Sequence, residues 1–218
     1  MSDTLTLYSY FRSSAAYRTR IALNLKGLKP DYKFIHLLKN GGEQHSATYK
    51  SVNPQELVPT LIDQGHAISQ SLAIIEYLDE TTPDPPLLPR DPLGRARVRQ
   101  IAQTIACDIH PVNNLRVLQF LAHTYGASEK QRADWQKHWI ASGFAALETL
   151  LANSPATGAY CHGNTPTLAD ICLIPQMANA RRVNLDLTLY PTLLRIESTA
   201  SSHPAFAAAQ PQAQPDAK

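Results

Sequence analysis

Arg12, Ser13 and Ser14 stand in a row where a β-type run, Leu5-Thr-Leu-Tyr8, gives way to a helical pattern with Tyr17, Ile21, Ala22 and Leu25 on one face. Serine hydroxyls can donate to an anion, and a guanidinium can neutralise one. The unpaired N–H groups of a helix start carry the positive end of its dipole. The chemistry open to this stretch is the holding of an anion. The same serines also satisfy a plainer reading, because serine is a preferred helix N-cap.

The elements that must position this stretch follow in order. Gly27 is a helix stop, and Tyr32-Lys-Phe-Ile-His-Leu-Leu38 reads as a second strand, broken by Lys39-Asn-Gly-Gly42. Glu43 to Lys50 is polar and fits a short irregular helix. Asp63-Gln-Gly65 is a turn signal between Thr60-Leu-Ile62 and His66-Ala-Ile68, which predicts a hairpin. Ser69-Gln-Ser71 then opens a helix with Leu72, Ile75 and Leu78 inward, ending by Thr82. The order is β-α-β-α followed by β-β-α.

From Thr81 to Pro92 prolines crowd the chain, which predicts a stiff linker at a domain boundary. Beyond it the periodicity is helical. Val98, Ile101, Ala102, Ile105 and Ile109 form one stripe, and Trp135, Trp139, Phe144, Leu147 and Leu151 belong to a second helix. Thr167 and Asp170 have capping-box spacing, and Leu193 to Ser201 reads as a last short helix. Residues 204–218, rich in Ala, Gln and Pro, read as an irregular tail.

Composition excludes several classes. The 218 residues are 44% hydrophobic and 17% charged, which suffices for a core without disulfides or metal. A net charge of +2 argues against general nucleic-acid binding, so any basic function must come from placed arginines. Three cysteines without CxxC or metal-ligand spacing fit a reduced, cytoplasmic protein. No apolar run reaches membrane-spanning length. Residues 1–80 hold no cysteine, which excludes thioredoxin-type redox chemistry.

The plan resembles the cytosolic glutathione transferases: a thioredoxin-like α/β domain (residues 1–82), a proline-rich linker (83–92) and an all-α domain (93–218). Ser13-Ser14-Ala-Ala-Tyr-Arg18, Asn53-Pro54, Val58-Pro59-Thr60-Leu61 and Gln70-Ser71-Leu-Ala-Ile-Ile-Glu-Tyr77 are similar to the zeta class. Ile109-His-Pro-Val-Asn-Asn-Leu-Arg116, Thr167-Leu-Ala-Asp170 and Ala178-Asn-Ala-Arg-Arg182 resemble its bacterial members, the maleylacetoacetate isomerases. The likeness runs from Leu5 to Asp216 without a large gap.

That resemblance implies glutathione as cofactor and a maleyl diketo acid as substrate, isomerised from cis to trans by reversible thiolate addition. It implies a cis Val58–Pro59 bond that leaves the Val58 backbone free for the tripeptide, Gln70 and Ser71 at the γ-glutamyl carboxylate, and Gln44 near the glycyl end. Ser13 or Ser14 would stabilise the sulfur, with Ser14 slightly preferred as nearer the helical turn. Many zeta relatives carry cysteine where this chain has Ala15, which removes a second sulfur. Tyr8 and Tyr10, rivals because other classes use a tyrosine at the end of the first strand, are read as mainly structural.

Arg12, Arg116 and Arg182 match positions in a family of dicarboxylate substrates, to which the arginine fork is suited. Arg18 and Arg20 are read as structural or surface residues, and Arg181 as weaker than Arg182. Pro111 should kink its helix and direct His110, Asn113 or Asn114 toward the cleft between domains, giving His110 and Asn114 a role with glutathione. A homodimer is implied, the N-terminal domain of one subunit against the helical domain of the other. Maleylpyruvate isomerisation, small halo-acid chemistry and a non-catalytic interaction protein of the same fold stand as rivals.

Overall fold

The computed structural model describes residues 5–217 and divides into two compact units, Met1–Pro86 with His203–Lys218 and Leu87–Ser202. Residues 1–4 and 218, the outermost ends of the two expected domains, lie outside the described residues.

The first unit carries a four-stranded sheet in the order β2-β1-β3-β4. Strand β1 (Thr6–Ser9) runs parallel to β2 (Asp31–Phe34) and antiparallel to β3 (Thr60–Asp63), with Leu7 opposite Tyr32 on one side and Leu61 on the other. Strand β4 (His66–Ser69) closes the expected hairpin, and Gln64 and Gly65 both take positive φ, the turn that matches strand twist. Helix α1 (Ser14–Leu25) packs against α3 (Ser71–Thr81), and α2 (Ala47–Val52) falls between them in chain order. Ile21, Leu23, Ile74, Ile75 and Leu78 join Leu7 and Leu61 in the core, and Leu72 is only half-buried.

Strand β2 is shorter than the apolar run Tyr32–Leu38 predicts. Phe34 is already opposite Ser9, where β1 ends, so no neighbour remains to pair with. From His36 side chains take the backbone donors instead: Glu43 accepts from His36 N–H at 2.6 Å, and the His36 ring accepts from Leu38 and Lys39.

The tail expected to be irregular is ordered into α10 (Pro204–Ala209) and two short 3₁₀ turns, Pro211–Ala213 and Pro215–Ala217. It belongs to the first unit rather than the helical one, because α10 packs on α1 and Asn24 donates to the Ala205 carbonyl at 2.9 Å. The division between units falls at Pro86–Leu87 inside the proline-rich stretch. Leu87 and Leu88 are already buried, so that stretch is not a free linker throughout, and Asp84–Pro85 is a second cis peptide beside Val58–Pro59.

The second unit is helical: α4 (Pro92–Gln103), α5 (His110–Val112), α6 (Leu115–Tyr125), α7 (Glu129–Ala152), α8 (Leu168–Arg182) and α9 (Pro191–Ser201). The stripe from Val98 to Ile109 is buried, as its spacing requires. Pro111 has no N–H and would crowd the carbonyl four residues back. The chain answers with a π-helical segment, Thr104–Ile109, in which the His110 N–H reaches the Ile105 carbonyl. The stretch Leu115–Tyr125 is a separate helix with no fully buried residue, which a core-stripe reading passes over. Helix α8 is buried along nearly its whole length, and Asp170, fully buried, accepts from Cys161 N–H, Thr167 N–H and the Thr167 hydroxyl at 2.7–2.9 Å.

Candidate functional site

Ser13 is the N-cap of α1: its extended backbone lets the side-chain oxygen accept from Ala16 N–H at 3.2 Å, while its own N–H donates to the Tyr10 carbonyl at 3.0 Å. The accepted bond leaves the Ser13 hydroxyl proton to be donated elsewhere, and the residue is half-exposed. Ser14 is the first helical residue and is only 7% exposed. Arg12 is exposed. The two serines, equivalent as sequence, occupy different environments.

Arg18 and Arg20, each 1% exposed, are structural. Arg18 donates to the Ser71 hydroxyl at 3.3 Å, tying α1 to the first residue of α3. The helix that begins at Ser14 is thereby coupled to the one that begins at Ser71. Before Ser71, Gln70 holds φ 71°, ψ 116°, a conformation that costs a non-glycine residue and is retained where the surroundings dictate it. Its amide donates to Gln55 Oε1 at 2.9 Å. Tyr10 is buried against Phe11 and His36, and Tyr8 tilts over Tyr49 with ring centres 5.4 Å apart, so both tyrosines serve packing.

Asn53-Pro54, which the sequence offers only as a motif, has a bracing role. Asn53 Nδ2 donates to the Leu57 carbonyl at 2.8 Å and Thr60 Oγ1 at 3.0 Å, and Tyr49 donates its hydroxyl to the same Leu57 carbonyl at 2.6 Å. These bonds set the backbone immediately before the cis Val58–Pro59 step.

Gln44 is 5% exposed, its Nε2 donating to the Leu37 carbonyl at 3.4 Å and lying 3.1 Å from His45 Nε2. Its Oε1 is buried without a hydrogen-bond partner in the chain. The amide folds over Gly42, at φ +103°, where a Cβ would come within 2.6 Å of Gln44 Nε2. His45 in turn bonds through Nδ1 to Glu56, itself at positive φ. The His45 hydrogen bond, followed by Lys50, holds the Glu56 carboxyl below its usual range. Only tertiary structure brings Gln55 and Glu56 to these partners, and no local signal announces them.

In the second unit, Asn114 caps α6 by accepting from Arg116 N–H at 3.2 Å, and its Nδ2 lies 3.5 Å from His110 Nε2. His110, Asn114 and Arg116 thus form one local group, held by Trp135 Nε1 donating to the Val112 carbonyl at 2.8 Å. Asn113 turns back to the Ile109 carbonyl at 2.9 Å. Arg182 is the last residue of α8 and is exposed, and Arg181 donates to Glu197 at 3.0 and 2.5 Å.

A mixed sheet with a cis-proline just before β3, a serine-capped α1 and a helical second unit make up a thioredoxin-like α/β domain with an all-helical one. The chain belongs to the glutathione S-transferase family: residues 3–80 match its N-terminal domain and residues 129–209 its C-terminal domain. It is 50% identical over 214 residues to a probable maleylacetoacetate isomerase of Vibrio cholerae, covering 98% of this chain and 99% of that protein. It is similar to the holo structure of maleyl pyruvate isomerase, a bacterial zeta-class glutathione S-transferase, with TM-score 0.94, 47% identity and coverage of 98% and 100%. It is equally similar in fold to maleylacetoacetate isomerase from Methylobacterium extorquens AM1 with bound malonate and glutathione, with TM-score 0.94, 40% identity and coverage of 98% and 99%.

Proposed function

We propose that this chain is a zeta-class enzyme that uses glutathione as cofactor to isomerise maleylacetoacetate to fumarylacetoacetate. The observation that carries the reading is the Ser13 hydroxyl, braced as an acceptor at the start of α1 with its proton still to give. The first unit also fits the rest of the tripeptide. It has a second helix start at Ser71, a cis Val58–Pro59 step just before β3, and at Gln44 a buried amide oxygen without a protein partner.

Bound glutathione supplies a sulfur nucleophile that adds reversibly to a conjugated double bond, letting a cis bond become trans. The chain's part is electrostatic. Ser13 donates to the ionised sulfur, and the α1 N–H groups and dipole favour the same charge. Gln70 and Ser71 take the γ-glutamyl carboxylate, the Val58 backbone pairs with the tripeptide, and Gln44 orients its glycyl end. His110 and Asn114 add contacts to the cofactor. Arg12, Arg116 and Arg182 hold the carboxylates of the diketo acid and stabilise negative charge as it develops.

Replacing Arg116 or Arg182 by alanine is expected to lower kcat/KM for a maleyl substrate about tenfold or more, the worth of a charge-assisted pair. Steady-state kinetics with unchanged values for Arg182→Ala would remove the dicarboxylate clamp. Gly42→Ala places a methyl against the Gln44 amide at a backbone angle that disfavours it. Its expected signature is a KM for glutathione raised about fivefold, with kcat nearly unchanged.

A parallel assay of maleylacetoacetate and maleylpyruvate, with and without glutathione, tests the function. The reading expects glutathione-dependent turnover, faster on maleylacetoacetate. Isomerisation without glutathione contradicts it, and faster turnover of maleylpyruvate selects the second reading, which the similarity to a maleyl pyruvate isomerase favours. The family resemblance supports a cytoplasmic homodimer acting in tyrosine and phenylalanine catabolism. Among the described residues no helix is long and apolar enough to cross a membrane.

A further inference from the structure

The C-terminal segment ends against the turn that carries the serines. Asp216 Oδ2 accepts from Phe11 N–H at 2.9 Å, two residues before Ser13. Arg20, from the middle of α1, donates to the Phe11 carbonyl at 3.1 Å, the Tyr10 carbonyl at 3.4 Å, the Ser9 hydroxyl at 3.3 Å and, in the tail, the Ala209 carbonyl at 3.1 Å. Gln214 donates to the Ala208 and Gln210 carbonyls at 2.9 Å each, folding the chain after α10 so that Asp216 returns to Phe11. The backbone of Tyr10 and Phe11 is therefore held by one α1 cation and one tail carboxylate, and Ser13 N–H hangs from the Tyr10 carbonyl at 3.0 Å.

Charge accounts for the pairing. Burial pulls the Arg20 guanidinium down to about 10, while Tyr32, Asp216 and Tyr17 act in the opposite direction. Asp216 is the carboxylate among these opposing groups, and its Oδ1 is buried without a hydrogen-bond partner, which leaves that oxygen free to face charge. A carboxylate with one oxygen on a backbone N–H and the other unbonded costs desolvation unless a nearby cation offsets it. Simple tail anchoring has no need of such a group, since α10 already packs on α1 through Asn24 and Ala205.

We infer that Asp216, with Arg20, is a positioning clasp that fixes the Tyr10–Ser14 turn so that the Ser13 hydroxyl meets the thiolate. The inference rests on the glutathione reading for its consequence, but the clasp itself has a readout that needs no ligand. Asp216→Ala in the full-length chain should speed amide hydrogen exchange at Phe11 and through Ser13 and Ser14 about tenfold. It should also lower kcat about fivefold with a smaller change in KM for glutathione, and move the ultraviolet titration of bound thiolate to higher pH. Asp216→Asn keeps an acceptor for Phe11 N–H but not the charge that faces Arg20, and should restore part of the exchange protection and less of kcat. Unchanged exchange at residues 11–14 in Asp216→Ala, or a lowered Tm with wild-type kcat and thiolate titration, overturns the clasp. Faster exchange in a chain whose wild type ionises no bound thiol supports the clasp as a brace of the turn and refutes the glutathione reading instead.

Discussion

Ser13→Ala is expected to lower kcat/KM about 10- to 100-fold at neutral pH, the effect of removing a hydroxyl donor worth about 1.5–3 kcal/mol to a charged acceptor. A free thiol of this kind is only a few per cent ionised near neutrality. Lowering its pKa by about two units takes about 2.7 kcal/mol, whereas a helix start gives about 0.3–1 and at best about 2 kcal/mol. The dipole falls short and the hydroxyl makes up the difference. The sign with pH follows. Without the donor the bound sulfur ionises at higher pH, so the loss is greatest below neutrality and fades on the alkaline side. Ser13→Thr keeps cap and donor and should retain most activity. Ser14→Ala, at a buried first-turn position, should cost less. A pH profile of kcat/KM for the three variants checks this, and an unshifted acid limb in Ser13→Ala would remove the hydroxyl from the account.

The largest effect on stability is expected at Asp170. Its carboxylate is fully buried and answers three donors: Cys161 N–H, Thr167 N–H and the Thr167 hydroxyl. Asp170→Ala leaves all three without a partner at the start of the most deeply buried helix. The expected loss is about 3–5 kcal/mol, which for a chain of this size lowers Tm by about 6–20 °C. Burial raises the Asp170 carboxyl above 3.8, against the pull of its donors. The fold then takes up this proton at higher pH than the unfolded chain does. Between 3.8 and the raised value this site's contribution to stability therefore grows as pH falls and is lost as pH rises. Calorimetry of wild type and Asp170→Asn across mild acid tests that sign. A variant with the wild-type pH slope would show that the carboxyl is not perturbed.

What was legible in the sequence was what local chemistry determines. Asp63-Gln-Gly65 announces a hairpin because two residues there must take positive φ, and Thr167 with Asp170 announces a helix start because the spacing closes a capping box. Family likeness added the cis Val58–Pro59 step. The failures have one physical origin, partners remote in sequence. The run to Leu38 looks like strand throughout, yet β2 stops where β1 gives out at Ser9. The Ala- and Pro-rich end lacks an apolar periodicity of its own, yet α1 supplies the surface and the Arg20 and Asn24 donors that order it. Family likeness puts Gln44 near the glycyl end of the tripeptide, but neither its fold over Gly42 nor the His45–Glu56 brace behind it has a local signature.

The most direct test of the central claim is a crystal structure of this chain with glutathione bound. The account predicts the sulfur within about 3.5 Å of the Ser13 hydroxyl, at the start of α1, with the γ-glutamyl carboxylate at Gln70 and Ser71. A tripeptide bound there with its sulfur turned away from Ser13 would contradict it.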